Sequence, residues 1–291
     1  MVSLAEKRHQ HVDDPLTAGR ELVHVPTTEK AMAPDDDPRL GDVDEWGRSE
    51  RMRGLVRKAF DPVYRHYFRA EWEGLEHIPT DGGALLVANH AGAVPSDAPV
   101  IMHGIETELE RPVYGLADNF FRKIPVVGTL WSRAGGLPAH PDNAYRLLNG
   151  QGQLVLVFPE GVKGTSKTIA NRYKLARFGR GGFVEIAMRA VAVMGNEEAN
   201  PILWRLPGAK MLGVPYLPVT PQSLVLGPLG TLVPLPAKFK LRVLPPVTFD
   251  VPPSQHRYSR TRIMDGSQEI QGKIQEALYE MAAERRNWWG G

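Results

Sequence analysis

Two short apolar runs constrain the fold of this chain more than any other feature: Ala84 to Ala88, reading ALLVA, and Gln153 to Phe158, reading QLVLVF. Each has the length of a buried strand and ends abruptly at polar or turn-forming residues. The first stops at Asn89-His90 and the second at Pro159-Glu160-Gly161. Open α/β sheets place ligands at such strand ends, where a side chain sits on rigid backbone yet faces a crevice. Asp97 follows His90 by seven positions. A carboxylate beside an imidazole selects its tautomer and stabilises the imidazolium that forms when it takes a proton. A hydrogen-bonded structural histidine fits the same pattern.

The turn after the second run continues as GVKGTSKT. Gly161, Gly164 and the hydroxyls of Thr165 and Ser166 offer close donors to a phosphate, with charge from Lys163, Lys167 and Arg172. A solvated basic loop is the other reading. The segment nearly spells a P-loop, with Gly161, Lys167 and Thr168 at the required spacing. Ser166, however, stands where the second glycine allows the backbone to cradle a phosphate, which disfavours nucleotide binding. The chain has no G-x-S-x-G, G-x-G-x-x-G or H-E-x-x-H, and no metal site is expected.

With 291 residues, 42% of them hydrophobic, the chain has ample apolar content for a core. Without cysteine there can be no disulfide, thiolate nucleophile or Cys-ligated zinc. A net charge of +2 gives no basis for expecting nucleic acid. No apolar run of about eighteen residues and no signal peptide is visible, so the expected location is cytoplasmic, with any membrane contact peripheral. Residues 1–48 are polar and read as a mobile tail. Residues 49–68 read as a basic amphipathic helix divided by Pro62, in which Arg51, Arg53, Arg57 and Lys58 would meet anionic lipid and Leu55 and Phe60 would enter the interface. A helix packed on its own domain explains the same pattern. Further strands are expected at Trp72–Ile78, Arg111–Ala117, Leu137–Ala139, Tyr216–Val219 and Lys238–Leu244. Helices are expected at Asp97–Ile105, Phe120–Ala134, Ala144–Leu148 with Asp142 as cap, Phe183–Ala190, and Thr261–Arg286 as a covering helix.

Taken together, NHAGAVPSD at Asn89–Asp97, FPEG at Phe158–Gly161 and YLPVTPQS at Tyr216–Ser223 resemble the glycerolipid and lysophospholipid acyltransferase family. The resemblance implies an α/β fold: one domain over residues 69–291 with a mixed, mostly parallel sheet flanked by helices. It implies transfer of a fatty acyl group from acyl-CoA or acyl carrier protein, as co-substrate and not as bound cofactor, to a lipid hydroxyl at an anionic membrane surface. By position, His90 matches the family's general base and Asp97 its orienting carboxylate, while Phe158, Pro159, Glu160 and Gly161 match the acceptor-site motif, whose glutamate holds hydroxyls or nearby basic groups and whose glycine permits close approach. Lys163, Thr165, Ser166, Lys167 and Arg172 would then meet a phosphate or the thioester carrier. A catalytically inactive lipid-binding relative is the alternative, and a P-loop-like nucleotide-binding protein a third. The His–Asp spacing is wider than the family's usual H-x-x-x-x-D and resembles the neutral-lipid branch. Gly135–Ala139 reads GGLPA where the glycerol-phosphate branch carries an arginine, which argues against a glycerol-phosphate acceptor.

RGGFVEIAMRA followed by VAVMGNEE also resembles the neutral-lipid branch, but without the residues that usually link the two pieces. A helix-to-strand connection usually takes about two to six residues. The expectation at Ala190-Val191 is therefore either a break between about Arg189 and Ala192, or a helix that ends early and leaves a shortened strand.

Overall fold

The computed structural model describes residues 41–118, 126–178, 188–247, 259–287 and 289. Its frame is a seven-stranded sheet of β1 (Glu71–Glu73), β2 (Ala84–Ala88), β3 (Val113–Ala117), β4 (Gly136–Pro138), β5 (Leu154–Val157), β6 (Met188–Met194) and β9 (Lys240–Val243). The order is β1-β9-β6-β2-β5-β3-β4, and every pair is parallel except β6 with β9. The mostly parallel α/β domain expected from the sequence is thus present. A separate antiparallel pair, β7 (Trp204–Leu206) with β8 (Leu217–Val219), stands outside it.

Strand β2 is central and buried along its whole length because both faces of the sheet are covered. Leu86, Leu154, Leu156, Val193 and Leu241 pack with Val100, Ile101 and Ile105 of helix α2 (Asp97–Glu108). On the opposite face Leu85, Val87, Val155 and Ala192 meet Ile270, Ile274, Leu278 and Met281 of helix α8 (Arg260–Glu284). The alternation along each strand sends neighbouring residues to opposite cores. Burying a Leu or Ile side chain contributes about 1.5–3 kcal/mol, which explains why an all-apolar strand belongs at this position.

Several local expectations change. Residues 42–48, assigned to the tail, are packed on the domain: the Tyr114 hydroxyl donates to Asp44 at 2.6 Å and the Trp46 indole to Gln151 at 2.6 Å. Residues 1–40 lie outside the described residues. Helix α1 (Glu50–Pro62) is capped by Ser49, and Pro62 marks its passage into a π-helical turn at Val63–Tyr67. Arg53 does not face outward; it is buried and donates to Glu106 of α2. Phe60 also turns inward, with its ring edge-on to Phe68 and His103. Arg51, Leu55, Arg57 and Lys58 remain exposed.

The expected Trp72–Ile78 strand shortens to β1, and a 3-10 turn at Leu75–His77 replaces its second half. Helix α3 occupies Val127–Arg133, and residues 120–125 of its expected span lie outside the described residues. The helix expected from Ala144 begins earlier, as α4 (Pro141–Tyr145), and its cap is the His140 imidazole, which accepts from the Asp142 N–H.

At Ala190-Val191 the expected break is absent and the strand is not shortened; of the second expectation only the early helix end holds, because Met188 is already strand. Strand β6 is seven residues long and pairs without interruption, Met188 to Val191 with β2 and Val191 to Met194 with β9. The last three residues assigned to a helix are therefore strand, because Ala190–Val193 fill the sheet between two buried neighbours. Residues 179–187 lie outside the described residues. No helix among the described residues is long and apolar enough to cross a membrane.

Candidate active site

Strands β2 and β5 run parallel in register, Val87 beside Val157, so His90 and the Phe158–Gly161 turn emerge side by side at the same sheet edge. Beyond this edge the chain leaves β2 toward β3 and leaves β5 toward β6, in opposite directions along the sheet. Such divergence opens a crevice.

The structure brings His90 and Asp97 together: Nδ1 lies 2.8 Å from Oδ2. Asp97 is buried at the first turn of α2, where it also accepts from the backbone N–H groups of Ala91 at 3.1 Å and Ala98 at 2.9 Å. These partners suit an acceptor-only carboxylate, and the helix N-terminus favours negative charge there. The proton between the pair then sits on Nδ1, leaving Nε2 as the ring nitrogen able to accept another. The His90 side chain is 12% exposed. Phe158 stacks on its ring at a centroid distance of 4.2 Å and 23° between planes, which limits rotation of the imidazole.

Of the two uses expected of Glu160, holding hydroxyls or holding nearby basic groups, the structure shows the second. Its side chain is fully buried. One carboxylate oxygen accepts from the His90 backbone N–H at 2.9 Å; the other accepts from the Ala176 N–H at 2.5 Å and lies 3.3 Å from the Lys167 ammonium. The carboxylate thus holds the His90 backbone and the Lys167 ammonium together. Gly161 is needed for its conformation, φ 54° and ψ −141°, with nothing near its absent side chain. The close approach is made instead by Gly164, where a Cβ would fall 2.6 Å from the His90 carbonyl oxygen.

The five residues proposed for phosphate or carrier binding separate in space. Lys163 is exposed, and Ser166 and Arg172 are half-buried, with the Arg172 guanidinium 5.6 Å from the Tyr173 ring centre. Thr165 is buried and its hydroxyl donates to the Val162 carbonyl at 3.3 Å. Lys167 turns inward, between Glu160 and Glu197 at 3.3 and 3.4 Å, and donates to the Lys174 carbonyl. A P-loop needs that ammonium free for phosphate and a helix behind the turn. Here the ammonium is held by carboxylates and the following helix α5 is only Val162–Thr165, so the nucleotide-binding alternative is set aside.

Residues not singled out for the site explain how a wide His–Asp spacing still closes. Asn196, at the start of the short helix α6 (Asn196–Ala199), donates to the carbonyls of Ala91 and Val94. Asn200 donates to Ser96 Oγ at 3.1 Å, and its carbonyl accepts from the Ala93 N–H at 2.8 Å. Asn89 clamps Val193 through both its amide groups, at 2.7 and 2.8 Å. Tyr216 donates to the Ala93 carbonyl at 3.2 Å, and burial raises its phenol above the ordinary value. The extra residues between His90 and Asp97 are therefore looped out and braced, mainly from GNEEAN. That motif was visible in sequence, but its contacts are about a hundred residues away.

The same motif carries Glu197, whose carboxyl burial pushes up to about 7 despite the neighbouring Lys167. Glu197 Oε2 accepts from the Tyr173 N–H at 2.6 Å, whereas Oε1 is close enough to Lys167 for an ion pair but not aligned as a hydrogen bond. Among the described residues no group of three or more His, Asp or Glu is placed to hold a metal ion.

Known proteins share this arrangement of chain. A family model described as Acyltransferase matches residues 69–221. An uncharacterized protein of Mycobacterium tuberculosis is 37% identical over 265 residues, covering 86% of this chain and 72% of its own. One from Mycobacterium leprae is equally similar, with 70% of its length covered. The crystal structure of the 1-acyl-sn-glycerophosphate acyltransferase PlsC from Thermotoga maritima superposes with a TM-score of 0.50 at 20% identity, over 82% of this chain and 84% of that one. The fold is shared with that enzyme, and on the extent of the family match the chain belongs to the acyltransferase family.

Proposed function

We propose that the protein transfers a fatty acyl group from an acyl thioester, acyl-CoA or acyl carrier protein, to the hydroxyl of a glycerolipid or lysophospholipid. The observation that carries this reading is the 2.8 Å His90–Asp97 contact at the mouth of the β2–β5 crevice. His90 Nε2 takes the proton of the acceptor hydroxyl as its oxygen attacks the thioester carbonyl. Asp97 stabilises the resulting imidazolium. The tetrahedral intermediate then collapses, the C–S bond breaks, and the imidazolium returns the proton to the departing thiolate. Transfer is direct, since the chain has neither a cysteine nor a G-x-S-x-G serine to carry an acyl group. Glu160, itself paired with Lys167, holds the His90 backbone, and Phe158 holds its ring.

The close dyad also counts against the inactive lipid-binding relative, which requires His90 and Asp97 to be misaligned. Incubation with labelled acyl-CoA and a panel of lysophospholipids, monoacylglycerols and diacylglycerols tests the reading. His90→Ala is expected to lower turnover by about 100- to 10,000-fold with folding retained. Full activity in that variant rejects the mechanism.

A further inference from the structure

An apolar surface lies on the segment that follows GNEEAN. Met211, Leu224, Val225, Leu226, Leu229 and Leu232 are all exposed, Met211 at 91%, Val225 at 83% and Leu229 at 77%. Scattered exposed leucines are ordinary, but a run of them on one short stretch marks an interaction surface. This stretch is firmly built. Helix α7 (Pro221–Leu226) opens with a reciprocal Thr220–Ser223 capping box and is followed by a 3-10 turn at Pro228–Leu232. The buried Gln222 side chain donates to the Ala199 and Val233 carbonyls at 3.0 and 3.1 Å, pinning both ends to the domain. The apolar side chains are thus held out by a satisfied backbone.

We infer that α7 and the turn after it dock the protein on an anionic phospholipid bilayer, with Leu224, Val225, Leu226, Leu229 and Leu232 entering the headgroup boundary. The charge pattern favours this occupant. No aspartate or glutamate occurs between Glu198 and Asp250, while Arg205, on β7 and paired with β8, is exposed. At the other end the Tyr67 hydroxyl donates to the Pro234 carbonyl and the Arg69 guanidinium to the Pro236 carbonyl at 2.7 Å, which places a cation there; Arg65 is paired with Asp61. Cations at the margin of an aliphatic surface suit an anionic interface. A soluble protein partner would be met by about one hydrogen bond per 100–200 Å², for which this aliphatic face has little to offer. The Tyr216–Ala93 bond links the same segment to the His90–Asp97 loop, so a lipid hydroxyl would be delivered beside the crevice. The choice of a bilayer rests on the acyl-transfer reading, whose acceptor is a lipid.

The test is flotation of the full chain with phosphatidylcholine vesicles, with and without phosphatidylglycerol. Val225→Glu combined with Leu229→Glu should weaken partitioning about tenfold or more, and Val225→Trp should strengthen it severalfold, since Trp favours the membrane interface. Unchanged partitioning in both variants overturns the inference. So does a wild-type chain that ignores vesicles, or a double variant that loses self-association while still floating. Acyl transfer by the wild-type chain to a detergent-dispersed acceptor is measured separately. Failure there with the vesicle result intact removes the acyl-transfer reading and leaves the docking surface.

Discussion

The β2–β5 edge and the α7 segment invert the usual distribution of side chains in opposite senses. At the edge, Asn89, Asp97, Glu160, Glu197 and Asn200 are polar and buried. Along α7 and the following turn, Leu224, Val225 and Leu229 are apolar and exposed. The first inversion is sustained by hydrogen bonds and ion pairs that replace water, without which each buried group would be costly. The second needs no internal compensation, because an exposed leucine costs little in the folded state. The difference teaches that the edge must hold its geometry against desolvation, whereas the α7 surface is free to be specialised for what it meets outside.

The sharpest way to break the comparison is to remove the cation between the buried carboxylates. Lys167→Met leaves Glu160 and Glu197 without their shared counter-charge, and removing one partner of a buried pair is expected to destabilise by about 3–5 kcal/mol. Urea unfolding checks this; a loss below about 1 kcal/mol would mean that the bridge contributes little to the edge.

A smaller effect comes from Glu197. Its folded pKa is raised from the ordinary glutamate value of 4.5 to about 7, so between those values the folded state binds more protons than the unfolded state. Its contribution to stability is present in full below about pH 4.5 and is lost as pH rises through about 7. Glu197→Gln does not titrate. The thermal midpoint of the variant relative to wild type should therefore rise with pH across that window and stay flat on either side, and a pH-independent difference would refute the assignment.

The smallest effect is expected on the other region. Val225→Ser removes an exposed side chain that packs on little, so stability should change by less than about 0.5 kcal/mol. A loss of 2 kcal/mol would show Val225 to be part of the core and dissolve the contrast between the two regions.

Much of the frame was legible because it depends on local pattern. Ala84–Ala88 was read with its observed boundaries, and β5 and β9 lie within their expected runs, since uninterrupted apolar stretches of that length have few other uses. The basic helix shows the limit of such reading. Arg51, Arg53, Arg57 and Lys58 look alike in sequence, yet Arg53 alone among them is buried, against Glu106 on another helix. Likewise the motif left open whether Glu160 holds hydroxyls or basic groups, and only the fold supplied its partners at His90, Lys167 and Ala176.

The amino-acid sequence by itself determined the buried strands, the polar groups at their ends and, through the motifs at His90 and Glu160, the family. Those follow from residue type and short-range order. Only the tertiary structure decided that six intervening residues still let His90 reach Asp97, that Gly164 and not Gly161 makes the close approach, and that α7 carries the outward apolar surface. Each of these depends on which distant segment lies opposite. Asn196 and Asn200 brace a loop about a hundred positions earlier in the chain, and no spacing within either segment records that they meet.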